Sequence, residues 1–252
     1  MKTSTDRVLT THVGSIPRPE NVRALLRARL GGQAIDEAEL GVRAAEAVAE
    51  VVRRQAEVGL DIVSDGEMSK TSFLAYTDER LTGFVPAAAN DPSAALTGAG
   101  GPWARRVDSR REWRAFREYC WGSWQGPHLH DLGLRDIVDL VLRVRAQAYS
   151  IEAATPRHSH EWRVWEDIRL PEGKVLIPGV IAHTTAVVEH PETVAERLMN
   201  FASLVGRERV IAGADCGFAQ GALFQRQHPT VMWAKFEALV QGARLASERL
   251  WG

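Results

Sequence analysis

Residues 209–218 read RVIAGADCGF. A β-branched apolar pair, Val210 and Ile211, runs through small residues into Asp215-Cys216-Gly217, the pattern of a buried strand that ends at a functional loop. The strand delivers a thiol at its C-terminal tip, and Gly217 lets the backbone turn away at once. The second of the two cysteines, Cys120, also precedes a turn glycine, Gly122. Two thiols so placed are a disulfide, two core cysteines or two ligands of a soft metal.

Working outward, the same design recurs. VLTTHVG (8–14) is β-prone and is stopped by Pro17 and Pro19. Helical patterns follow at 20–30 and 36–58, the second opening with Asp36 as N-cap and closing at Gly59. LDIVSDGE (60–67), QAYSIEA (147–153) and KVLIPGVI (174–181) read as further strands, with a doubtful one at 119–122. Helices are expected at 134–146, 191–205 and 231–251. The strands carry polar residues at their C-terminal ends: His12, Gly14 and Ser15; Asp65 and Glu67; Cys120; Glu152; His183; Asp215 and Cys216. Strand, glycine turn, helix, strand predicts a parallel α/β fold of (β/α)-barrel type, with the site on the C-terminal face. Five good strands fall short of the eight that a barrel needs. Residues 83–118 form the irregular segment of an otherwise single domain, 1–252.

Composition sets limits. The chain has 252 residues, 45% hydrophobic and 25% charged, with a formal net charge of −1. That balance gives no reason to expect nucleic acid or an anionic membrane as partner. No apolar run reaches the roughly 20 residues that cross a bilayer, and MKTSTDRVLTTHVG lacks the apolar core of a signal peptide. A cytoplasmic location is therefore expected, where thiols stay reduced and a structural disulfide is the weakest of the three options. Two thiols and the Glu152 carboxylate suit Zn2+. Each also has a plainer role: a cysteine as a small buried hydrophobe, Glu152 as a salt-bridge partner, Glu67 as a cap of a following helix. His158 and His160 in RHSHEW suit a metal or packing equally, whereas Trp121, Trp124 and Trp162 read more naturally as core packing than as a wall for a pterin.

THVGSIPRP, GLDIVSDGEMSKTSF, CWGSWQGPH, YSIEAATPRHSHEWRVWE, KVLIPGVI, VVEHPETVAERL, RERVIAGADCGF and HPTVMWAKFEALVQGARLASERLW together resemble the cobalamin-independent methionine synthase family. The likeness is strongest to its stand-alone catalytic-domain members, a group that includes the epoxyalkane:coenzyme M transferases. It implies a (β/α)8 TIM barrel with a zinc held by a His-x-Cys pair, a Glu and a distant Cys. Residue by residue, Cys120, Glu152 and Cys216 match zinc ligands. The backbone at Val13, Gly14 and Ser15, with His12 beside it and the Glu67 carboxylate, matches positions that hold the amino-acid end of a thiol substrate. The implied reaction is methyl transfer from 5-methyltetrahydrofolate to homocysteine, giving methionine. The nearest alternatives are a related thiol alkyltransferase and a non-catalytic remnant; a metal-free decarboxylase of the wider superfamily ranks below both.

One departure stands out. Where the family has histidine two residues before the first cysteine, this chain has Glu118 in REYCWG, which makes Glu118 the candidate fourth ligand. The resemblance breaks at Tyr119-Cys120, as though two to three βα units of the barrel were lost. A barrel lacking adjacent strands has unpaired edges, which oligomerisation or strand exchange would cover.

Overall fold

The computed structural model describes residues 2–72, 121–122, 128, 131–219, 221–222 and 227–252, with the backbone of 85–86, 105–106 and 118–119. Strands β1 (Leu9–Thr10), β4 (Glu118–Tyr119), β5 (Ala148–Ile151), β6 (Val175–Ile181) and β7 (Ile211–Ala214) form one parallel sheet in the order β1-β7-β6-β5-β4. The first strand thus lies beside the last, as closing a barrel requires. Beyond β1, Thr11 makes a parallel bridge to Ile62, which extends the arc by one more segment. Among the described residues the arc does not close. A two-residue antiparallel pair, β2 (Val85–Pro86) and β3 (Arg105–Arg106), is all that the structure describes of the irregular segment before β4.

Several strands are shorter than the sequence suggests, because side chains take their ladder amides. The Val8 amide donates to Ser247 Oγ, Leu9 to Ser4 Oγ and Thr10 to Asp61 Oδ2. This reduces the expected strand 8–14 to Leu9–Thr10 plus one bridge. The expected strand at 60–65 becomes the single bridge at Ile62. Its Ser64 amide goes instead to the buried Gln55 side chain, at 3.0 Å. No helix follows Glu67 among the described residues, so the capping role for Glu67 does not hold; the 66–69 segment is a turn.

Among the described residues, six α-helices accompany the strands: α1 (Glu20–Leu30), α2 (Glu37–Val58), α3 (Leu134–Arg143), α4 (Val164–Asp167), α5 (Pro191–Val205) and α6 (Pro229–Trp251). In α2 the Asp36 side chain accepts from the Ala38 and Glu39 amides, and Gly59 ends the helix in the left-handed conformation. Its buried face is Leu40, Ala44, Ala47, Val51 and Gln55, spaced three and four residues apart as one helical stripe requires. Helices α5 and α6 open alike, with His190 and His228 accepting from the Glu192 and Thr230 amides and proline in the first turn. That cap starts α6 two residues before the expected Val231. No described helix is long and apolar enough to cross a membrane.

Helices α5 and α6 pack closely because α6 carries Gly242 at the contact. A Cβ there would lie 2.8 Å from the Pro191 carbonyl oxygen and would overlap the Val194 side chain. Alanine is the better helix former by about 1 kcal/mol, but overpacking costs about 1–3 kcal/mol, and the backbone carbonyl cannot move aside. Gly242→Ala is expected to lower stability by up to about 2 kcal/mol in urea unfolding. A stabilised variant would show that this contact is loose.

Candidate active site at the strand tips

The C-terminal tips of β1, β5, β6 and β7 and the turn after Ile62 meet at one mouth. One close contact there is backbone on backbone. Gly14 adopts φ +77°, and a Cβ on it would lie 2.8 Å from the Gly217 nitrogen; one on Gly217 would come within 2.9 Å of the Gly14 carbonyl carbon. Two facing glycines therefore let the loop after β1 sit directly on the Cys216-Gly217 turn. Ser15 stitches the two together: its hydroxyl donates to the Ala219 carbonyl, and its own carbonyl accepts from the Ala219 amide at 3.1 Å.

His12 lies buried beneath this loop, tilted against Phe236 with ring centroids 5.2 Å apart. Its Nδ1 lies 3.0 Å from the Val13 carbonyl and its Nε2 lies 2.9 Å from Ser64 Oγ. A carbonyl can only accept, so Nδ1 carries the proton and Nε2 accepts from Ser64. Ser64 Oγ also accepts from the Gly66 amide, and Gln55 holds the Ser64 backbone through both its N–H and its C=O. Helix α2, the turn at 64–67 and the β1 tip are thereby linked through one neutral imidazole. Burial holds the His12 pKa down at about 4, against weaker support for the cation from Val13 and Asp65.

Glu67 is the sole described non-glycine residue with positive φ, at 56°. Such a conformation costs on the order of 1 kcal/mol and persists only where the surroundings impose it. Here the Glu67 amide donates to Asp65 Oδ1, and buried Arg18 donates to the Glu67 carbonyl at 2.8 Å. The carboxylate lies 2.8 Å from Lys70 Nζ and keeps partial exposure.

On the far side stand the candidate ligands. Glu152, just past β5, is fully buried, and the Cys216 thiol, just past β7, is half-buried. Cys120 and the side chain of Glu118 lie outside the described residues. Among the described residues no group of three or more His, Cys, Asp or Glu side chains is gathered closely enough to hold a metal ion. A carboxylate and a thiol on tips of one sheet are nonetheless donor types that zinc takes. His183, past β6, is buried, and its carbonyl accepts from Gln227 at 3.3 Å. Its loop is held by a buried ion pair: Lys235 Nζ lies 2.9 Å from Glu189, which also accepts from the Ala182 amide. His158 stacks on Trp121 at 4.2 Å and lies 3.0 Å from Glu161. Trp124 lies outside the described residues.

The organising residue was only a strand-tip polar group in the sequence. Fully buried Asp215 accepts from the backbone amides of Ala153 and Ala154 through Oδ1, both at 2.8 Å, and of Thr155 through Oδ2, at 3.0 Å. Burial pushes its carboxyl up to about 6, with the amide donors opposing. Its sequence signal was its place, one residue before Cys216 on a buried strand.

With this geometry in place, the relatives are informative. Residues 8–98 match the family model described as the cobalamin-independent synthase catalytic domain. Over these residues the chain is similar to the cobalamin-independent methionine synthase family. A methionine synthase from Sulfolobus acidocaldarius is 37% identical over 75 residues, which is 30% of this chain and 22% of that one. A 5-methyltetrahydropteroyltriglutamate–homocysteine methyltransferase from Thermosynechococcus vestitus is 37% identical over 76 residues, 30% of this chain and 10% of that one. The matches thus span about a fifth or less of these relatives' length. In fold, the chain is similar to the B12-independent methionine synthase of Shewanella sp. W3-18-1, solved with selenomethionine, at a TM-score of 0.62 and 15% identity, covering 97% of this chain and 99% of that one.

The His12 geometry makes a prediction about acid. The unfolded chain binds a proton near pH 6.5, whereas the folded chain resists it down to about pH 4. Stability from this group is therefore complete above pH 6.5 and is lost as pH falls toward 4, by up to about 3 kcal/mol. His12→Gln removes that slope. Urea unfolding of both proteins at about pH 7.5 and about pH 4.5 should show the stability advantage of wild type shrinking in acid by about 2 kcal/mol or more. A constant difference would mean that His12 is not held neutral.

Proposed function

We propose that the chain is a zinc-dependent thiol S-methyltransferase that moves a methyl group from a 5-methyltetrahydrofolate-type donor to homocysteine, giving methionine. The observation that carries this reading is convergence. The β1 loop seats backbone to backbone on the Cys216 turn, and Asp215 joins the same turn to the residues after Glu152. These contacts support a shared site for the β1 loop, Glu152 and Cys216, which the resemblance assigns to substrate and metal. The names of the relatives support a methyltransferase, and the selenomethionine in the Shewanella structure supports a methionine-like product.

In this reading Glu152, Cys216 and Cys120 hold the zinc, with Glu118 as the candidate fourth ligand. When bound, the zinc lowers the pKa of the substrate thiol so that it is nucleophilic near neutral pH. The protein's own groups do the rest. The Val13-Gly14-Ser15 backbone and the Glu67 carboxylate hold the amino-acid end, and neutral His12 fixes the Val13 carbonyl beneath them. A carboxylate at position 67 suits the ammonium of homocysteine and opposes the sulfonate of coenzyme M, which ranks the alkyltransferase alternative second. Phe218 and Phe236, packed edge to face at 5.4 Å, keep water from the floor behind His12.

The break in the resemblance at Tyr119-Cys120 favours one competing reading, a catalytically silent remnant of a (β/α)8 barrel that has lost βα units and covers its edge by pairing with a second copy. Zinc content and turnover separate the two. Purified, reduced protein is expected to hold about one zinc per chain, and Cys216→Ser to lose most of it. Zinc-loaded protein is expected to methylate homocysteine from methyltetrahydrofolate and not coenzyme M. Stoichiometric metal in Cys216→Ser would overturn the ligand assignment, and absence of methyl transfer by the zinc-loaded protein would favour the remnant.

A further inference from the structure

Glu152 and Cys216 stand on strands that are not neighbours: β6 lies between β5 and β7. Sheet hydrogen bonding therefore does not by itself fix one tip against the other. The connection is made by Asp215, whose carboxylate takes the three amides that follow Glu152 while its own backbone carries straight on to Cys216. Its route to β5 passes over β6 at Gly179. A Cβ at that position would lie 2.6 Å from Asp215 Cα and 2.7 Å from its nitrogen. The path is open because β6 has no side chain there. The register shifts at the same point, where Gly179 and Ile181 face the consecutive residues Gly213 and Ala214. This bulge brings the Ile181 carbonyl to the Asp215 amide at 3.0 Å.

We propose that Asp215 is a positioning residue that sets the distance and angle between the Glu152 carboxylate and the Cys216 thiol, and through them the affinity of the mouth for zinc; the last step rests on the metal reading above. Three amide donors on two oxygens define a position and a plane, which one or two bonds would not. Buried charge-assisted bonds of this kind are stiff as well as strong. Asp215 therefore acts on the metal through ligands that it does not itself provide. Partners of this sort change metal affinity by about 10- to 100-fold when removed.

Two substitutions disturb the clamp from opposite sides. Asp215→Asn keeps the size and two of the three acceptor contacts, but turns an NH2 toward the Thr155 amide. Gly179→Ala leaves the carboxylate intact and crowds it from β6. Both are to be compared with wild type by chelator competition for zinc, by the thiolate-to-cobalt absorption of Co2+-loaded protein, and by amide exchange at residues 153–155. The expected result is about a 10- to 100-fold loss of zinc affinity in each folded variant, a shifted cobalt spectrum and faster exchange at those amides. A folded variant with lower melting temperature but unchanged affinity, spectrum and exchange would overturn the proposal, since that is what a merely structural residue gives. If wild type itself takes up no metal, the metal reading fails separately, and exchange alone then decides whether Asp215 holds the β5 tip. Should Asp215→Asn fail to fold, Gly179→Ala carries the same comparison.

Discussion

The arrangement of the mouth depends on one buried carboxylate meeting three backbone amides. Asp215 has no exposure and no counter-ion in direct contact among the described ion pairs; its charge is met by the N–H groups of Ala153, Ala154 and Thr155. Desolvation works against the ionised form, hence the raised pKa, and the amides are what make burial tolerable. In return, two strand tips separated by a third are held in register. The glycines follow from this constraint. Gly179 clears the way for Asp215, and Gly14 and Gly217 let the neighbouring loop close on the same turn. Larger residues at these places would separate the parts of the site before affecting the core.

The other half of the mouth uses the same device with neutral groups. Gln55, Ser64 and His12 form a linked chain in which burial keeps the imidazole neutral, so that Nδ1 donates to the Val13 carbonyl and Nε2 accepts from Ser64. Arg18, buried beside it, holds the carbonyl of Glu67 and with it the left-handed turn that aims the Glu67 carboxylate. Lys235 and Glu189 steady the loop after β6 in the same manner. Side chains brought by helices from outside the sheet thus fix loops that the short strands cannot fix by ladder bonds alone.

This explains what was legible in the sequence. The run KVLIPGVI became β6 almost residue for residue, because a strand buried on both faces is a continuous apolar stretch. Helix α2 was readable from Asp36 and Gly59, whose local chemistry ends it at each side. The strands at 8–14 and 60–65 were overread. Their lengths depend on Ser4, Asp61, Gln55 and Ser247, and apart from Asp61 these lie outside the stretches themselves, so no local pattern reveals them. The candidate site residues are read from strand-tip chemistry and family likeness, whereas Asp215 as a clamp has no such signal. Its role depends on three amides about sixty residues earlier and on the absence of a side chain at Gly179, and neither has a motif.

The central claim is that Cys120, Glu152 and Cys216 converge on one zinc at this mouth. X-ray absorption at the zinc edge of the metal-loaded protein tests it most directly. The account predicts two sulfur scatterers at about 2.3 Å, with the remaining oxygen or nitrogen ligands at about 2.0–2.2 Å. A first shell of light atoms alone, or with a single sulfur, would contradict it.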